Sequence, residues 1–172
     1  MEITIDSKKY KLVPIEEETE ERVVYDFGDC EGPVPAHRHP NGGGWVANTA
    51  SVSESAYVGP DAMVFWKAQV YGNAWIIGNT KVSGFAVVSG SAWVFGNAKV
   101  SGFAKIYGHA HVYDKAWIGG NAQVHGEAGV FEEAVVFEEA RVYGKARVSG
   151  KARVSGKARV SEVTRLRASS TS

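Results

Sequence analysis

Aliphatic side chains return every sixth residue along this chain. From Val46 to Leu166, all 21 positions of that series are Val, Ile or Leu. A second series, from Ala50 to Ala158, holds Ala at every sixth position except Thr80. No insertion or deletion breaks either one. A period of six fits neither the 3.6-residue helix nor the seven-residue coiled coil. It is a multiple of two, so strand alternation survives each repeat. In the run Ala-x-Val-x, Ala and Val share one side and the two x residues share the other. The next residue is often Gly, as at Gly72, Gly84, Gly90, Gly96, Gly102 and Gly108. Gly tolerates positive φ and suits a corner. Each hexad is therefore predicted to be one short strand and one turn, and stacked hexads form a solenoid with a thin interior of Val and Ala.

Three hexads per coil give a triangular prism with an 18-residue coil. Residues 18 apart then stack, which sets Glu127 beside Lys145, Glu133 beside Lys151 and Glu139 beside Lys157. Each exposed pair is worth only about 0–1 kcal/mol, but the alternation of charge supports the register. The hexads make about seven coils, roughly 34 Å in height at the inter-strand spacing of a sheet. The open ends of such a stack need capping. Residues 1–42 are expected to supply an N-terminal cap and connector, 43–168 the β-helix, and 169–172 a frayed tail. Within the cap, EITI and YKLVPI read as a β-hairpin around Asp6 to Lys9, with VVYDF as a further strand. EEETEER, Glu16 to Arg22, reads as a solvated connector.

With aliphatic and small residues in this order, the chain resembles the hexapeptide-repeat proteins. Val94 to Lys99 (VFGNAK) matches their aliphatic site and their small residue at Ala98, with Gly96 placed one position later than usual. This G-x-A-x-V variant resembles uncharacterised hexapeptide proteins of enteric bacteria and phages, as does the GGGWVA segment from Gly42 to Ala47. The resemblance implies an all-β fold, a left-handed parallel β-helix. The hand is implied by the resemblance alone, since the general rule for crossovers favours the right hand.

The register also assigns the outward residues to three faces. The first carries Tyr57, Trp75, Trp93 and His111 in one column, with Ile77, Phe95, Tyr113 and Phe131 beside it. Such rings expose on the order of 700 Å², above the usual largest patch on a monomer. This face is the expected oligomer interface or ligand platform, and a rigid ladder stiffening a monomer is the competing reading. The resemblance favours a homotrimer built by side-by-side packing. The second face carries Tyr71, Ser89, Tyr107, His125 and Tyr143, with Phe85 and Phe103 nearby. The third carries Trp45, Met63, Lys81, Lys99 and Trp117, with Phe65 and Phe137 in the next column. Near the C-terminus GKARVS recurs, and Arg141, Arg147, Arg153 and Arg159 with Lys145, Lys151 and Lys157 form a basic collar. The preceding glutamates balance it, so a solvated surface is the simpler account, against a phosphate-binding one.

Composition narrows the function classes. The chain has 24 Val but only Leu12 and Leu166, which excludes a helical bundle. Lys plus Arg and Asp plus Glu are 19 each, so no global charge draws nucleic acid or an anionic membrane. Cys30 is alone, so no internal disulfide forms. MEITIDSKKY lacks the apolar core of a signal peptide, and no run of about 18 apolar residues exists. The cytoplasm is the expected compartment.

Three sets of residues offer chemistry. His109 and His111 lie two apart on one strand, about 6.5–7 Å from each other. Hexapeptide acyltransferases resemble this in using a His near a subunit boundary, and γ-class carbonic anhydrases place three His on zinc; neither motif is matched. His37 and His39 lie in the loop PVPAHRHPNGGG downstream of Cys30, Asp29 and Asp26, residue types that bind zinc, though not at the spacing of a closed site. Gly42 to Gly44 offer backbone N–H groups to an anion. Enzymes of the resembled family also push a loop out of the coils and append a C-terminal helix. The unbroken repeat leaves no room for such a loop, and no helix is expected after it. The expectation is a non-catalytic oligomeric module without a cofactor, structural or ligand-binding. The alternative is an acyltransferase-like enzyme taking acyl-CoA at an intersubunit site, with His111, His109 or His125 catalytic, and with His109 and His111 able to gather a divalent metal around a trimer axis. A further alternative is a phage protein that sequesters a small anionic ligand such as a nucleotide.

Overall fold

Inward Ala and Val alternate with outward residues, so each hexad lays down a strand two residues long before it turns. The computed structural model describes residues 2–5, 8–11, 23–161 and 165–168. Three stacked sheets of seven, nine and seven strands run along the molecule, and the described residues contain no helix. Trp75 lies opposite Trp93 and Ile76 opposite Val94, so a coil closes in 18 residues. Adjacent coils pair in parallel, as when Trp75 N donates to Ala92 O at 2.9 Å and Ile77 N to Val94 O at 2.9 Å. The fold is thus an all-β parallel solenoid of about seven coils. Its core is the predicted one: Val58 to Val148 and Ala56 to Ala146 are almost wholly buried along both series. Thr80, the single break in the Ala series, is also buried, and its hydroxyl donates to Ile77 O at 2.7 Å.

The corners obey one rule. From residue 66 to residue 156, every sixth residue has positive φ, and twelve of these sixteen are Gly. Successive corners also touch through backbone: a Cβ on Gly72 would stand 2.9 Å from Gly90 O. The four exceptions are Trp66, Asp114, Glu132 and Glu138. A left-handed conformation costs an L-residue about 1–2 kcal/mol. Each exception gives its side chain a hydrogen bond. Asp114 Oδ2 accepts from the Glu132 N–H at 3.2 Å. Glu132 Oε2 accepts from the Gly150 N–H at 2.5 Å, and Glu138 Oε2 from the Gly156 N–H at 2.6 Å. In all three, a corner carboxylate caps the corner amide of the next coil. A hydrogen bond to a charged group contributes about 1.5–3 kcal/mol, enough to offset the strain.

At the N-terminal end, β1 (Glu2–Ile5) and β2 (Lys8–Lys11) pair antiparallel, Ile5 opposite Lys8. The second strand therefore starts inside the span expected to turn. β3 (Val24–Tyr25) pairs with β4 (Val34–Arg38), and β4 pairs antiparallel with β5 (Trp45–Ala47), the first strand of the third face. The open edge of that sheet is capped in this way. Beyond β3 the chain lies back over the same face. Phe27 is buried and stacks on Phe65 at 4.9 Å, and Tyr25 stacks on Trp45 at 4.2 Å. Lys81 Nζ donates to Phe27 O at 3.1 Å, and Trp66 Nε1 donates to Asp29 Oδ2 at 2.6 Å. The indole hydrogen bond holds the Asp29 carboxyl below its ordinary pKa. Phe65, expected to point into solvent, lies instead beneath this strap because a second small core forms there. Of the expected ion pairs, Glu127 meets Lys145 at 3.7 Å, whereas Glu133 meets Lys115, the neighbour one coil earlier, at 4.0 Å. The connector at Glu16 to Arg22 and the tail at Ser169 to Ser172 lie outside the described residues.

The corner rule separates two substitutions of one residue. Glu138→Ala keeps the strained backbone and loses the acceptor, and is expected to destabilise by about 1–2 kcal/mol. Glu138→Gly loses the acceptor but relieves the strain, and is expected to stay within about 1 kcal/mol of the parent. Equal denaturation midpoints for the two variants would refute the role given to the carboxylate.

Candidate functional site

The first face is built as the hexads dictate. Tyr57 stacks on Trp75 at 4.8 Å, Trp75 on Trp93 at 5.2 Å, and Trp93 on His111 at 6.1 Å, with ring planes within 26° of parallel. In the neighbouring column Phe95, Tyr113 and Phe131 stack at 4.8 Å, with planes 2° apart. Ile77, half-buried, precedes Phe95 in that column by one coil. With a coil rise of about 4.8 Å, near-parallel rings one coil apart meet in offset stacks, so each outward ring rests on the next. Trp75 and Trp93 remain 38% and 40% exposed. The face changes character at Gly129, over which the Arg147 side chain folds. Burial pushes the Tyr113 phenol above its ordinary pKa, and the nearby Arg147 opposes that shift.

The histidines do not converge. His109 and His111 are exposed at the corner and on the strand of the first face. His125 belongs to the second face, stacked between Tyr107 at 4.6 Å and Tyr143 at 5.4 Å. Burial, aided by the neighbouring Arg141, lowers its pKa. His37 Nδ1 lies 2.9 Å from Asn48 Oδ1, while His39 is buried with Nδ1 3.1 Å from Asn41 O. Among the described residues no group of three or more His, Cys, Asp and Glu is placed to hold a metal ion. The amides of Gly43 and Gly44 are already given to His39 O and Val58 O, both at 2.9 Å. Gly42 and Gly44 allow close backbone packing against Val58, with Tyr57 beside Gly42, so two of the three amides expected to face an anion serve the fold instead.

The third face holds a groove of about 870 Å³ that begins where the strap ends, at Gly28 and Phe65. Its floor is a small lattice. Lys81, Lys99 and Trp117 follow one another in register, with Ser83 and Ser101 alongside the two lysines. Asn97 and Lys115 line one flank and Val135 closes the far end. Trp117 is 45% exposed, and its Nε1 donates to Ser101 Oγ at 3.1 Å. Its indole lies over Gly119, which has no side chain to lift it away. The Lys81–Lys99–Trp117 column is visible in the hexad register. The groove is not, because its wall is the strap. The four arginines of the collar are exposed, with Arg141 paired to Arg159 on the second face and Arg153 5.4 Å from the Phe137 ring on the third.

A family model described as a YdcK beta-solenoid repeat matches residues 140–156, about one coil within the basic collar. No curated protein and no solved structure matches the chain.

The position of His125 has a consequence for pH dependence. Its pKa is lower folded than unfolded, so the unfolded chain takes up a proton first as pH falls. Its contribution is complete above the unfolded value of about 6.5 and declines as pH drops through the lower, folded value. His125→Phe, which keeps the ring stack, is expected to flatten the stability profile between pH 7 and pH 5. An unaltered slope in thermal melts of the variant would contradict this assignment.

Proposed function

We propose that the protein is a non-catalytic structural module that self-associates through the first face, most simply as a trimer. The carrying observation is the pair of ring columns, Tyr57–Trp75–Trp93 and Phe95–Tyr113–Phe131, stacked flat on a rigid sheet. Exposed aromatic surface of this extent typifies contact surfaces rather than solvated ones. Preordering favours association, because each ring is already held by its neighbours and little rotamer freedom remains to be lost. The distribution of charge favours a parallel sense of packing. The rings occupy the earlier coils of the face, and Arg147 and Arg165 the last ones. Copies with their axes parallel set rings against rings. They also leave the arginines at one end in water, where no charge is buried unpaired.

Several features support the non-catalytic character. His109 and His111 stand on the open face, His125 is wedged in a ring stack, and among the described residues no extruded loop shelters any of them. A His of the first face would meet a neighbouring subunit chiefly as part of the ring column.

Light scattering on the purified chain is expected to give a multiple of the monomer mass. Trp75→Lys combined with Trp93→Lys is expected to give the monomer, with an unchanged circular-dichroism spectrum. An oligomer that survives both lysines, or a monomeric parent protein, would exclude this interface.

A further inference from the structure

The third face carries features that self-association through the first face does not use. Lys81 and Lys99 stand directly opposite each other on adjacent parallel strands, about 4.8 Å apart at the backbone. Like charges so placed repel and destabilise a sheet. Neither lysine has a carboxylate within ion-pair distance among the described residues. Lys81 is held by the Phe27 carbonyl, and the Asp29 carboxylate of the strap feels its charge without pairing with it. The third cation, Lys115, has Glu133 4.0 Å away, on the next coil. No acidic side chain lines the groove into which these cations face.

One coil further on, the same column presents Trp117. Its indole is fixed by the Ser101 hydroxyl and by the bare backbone of Gly119, and it is left 45% exposed. The groove therefore offers two charges at one end and a flat apolar surface at the other. Hydroxyls at Ser83 and Ser101 and the Asn97 amide lie between and beside them. The strap at Gly28 and Phe65 bounds one end and Val135 the other. About four coil spacings separate those ends, roughly 19 Å.

We propose that this groove binds a nucleotide, with its phosphates on Lys81 and Lys99 and its base against Trp117. Two ammonium groups one coil apart match the oxygens of a diphosphate, which carries the charge needed to relieve their repulsion. The exposed indole supplies the stacking surface that a base seeks, and stacking of this kind is tolerant of base identity. The site lies on a different face from the proposed interface, so the two stand or fall separately.

Isothermal titration of the full chain at low salt, with ADP, pyrophosphate and adenosine as probes, tests the assignment. ADP is expected to bind more tightly than pyrophosphate, and adenosine most weakly. Lys99→Ala is expected to weaken ADP and pyrophosphate alike, by about ten-fold. Trp117→Ala is expected to weaken ADP by about ten-fold and to leave pyrophosphate unchanged. Both side chains are exposed, and unchanged thermal melts would establish that the variants fold. Arg141→Ala, in the collar on the second face, is expected to change nothing. The proposal is overturned if ADP fails to bind at millimolar concentration, or if Lys99→Ala leaves its affinity intact. It is equally overturned if Arg141→Ala causes the loss, which would move the anion site to the collar.

Discussion

The closure of every coil on 18 residues is the constraint from which the other features follow. A backbone N–H on one coil finds its carbonyl 17 residues later, as Trp75 finds Ala92. A single extra residue in any hexad would misalign every ladder beyond it and turn Val outward. Closure also fixes the cross-section. Three short strands around a common axis leave an interior that two concentric series of Val and Ala fill, and Leu would crowd it. The scarcity of Leu and the abundance of Val are thus one geometric fact. Because the interior is the same in every coil, it distinguishes no position from another. Specificity is confined to the outward columns, the corners and the N-terminal strap.

Much of this was legible in the sequence, and the reason is locality. The hexad determines which residues face inward, and an 18-residue period determines which outward residues touch. The stacks Phe95–Tyr113–Phe131 and Tyr107–His125–Tyr143 follow from counting alone. Features that depend on chain outside the repeat did not follow. The covering of Phe65 by Phe27 and the bond from Trp66 to Asp29 join segments 38 and 37 positions apart, with no period linking them. The groove below the strap was hidden for the same reason. The corner carboxylates had left a signal that could have been used: from Gly72 to Gly156, Asp114, Glu132 and Glu138 fall in a series otherwise held by Gly. An L-residue at a left-handed corner needs a local compensation. The exchange of Lys151 for Lys115 as the partner of Glu133 was beyond reach, because both neighbours are lysines one coil away.

The first and third faces are held apart by the core. A rigid prism keeps the ring columns of the first face and the lysine column of the third in fixed relation, with the core between them. Neither surface needs the other to rearrange. The strap adds one element whose position is set by side chains rather than by the ladder: Tyr25 on Trp45, Phe27 on Phe65, and a lysine and an indole holding its backbone and carboxylate. It borders the third-face groove and covers only the first coils.

The near-identical hexads of the basic collar bear on how such a chain can change its length. Six residues are one-third of a revolution. Inserting a hexad among the aromatic coils would rotate everything beyond it by 120° and scatter Trp93 and His111 onto a face away from Trp75. Inserting GKARVS after Ser149 would rotate the remaining coils by the same angle. Each face there already carries an outward Arg, so the turned surface would look the same. The collar is thus the segment where duplication or loss of a hexad in the gene alters the height of the molecule and leaves its compass bearings intact.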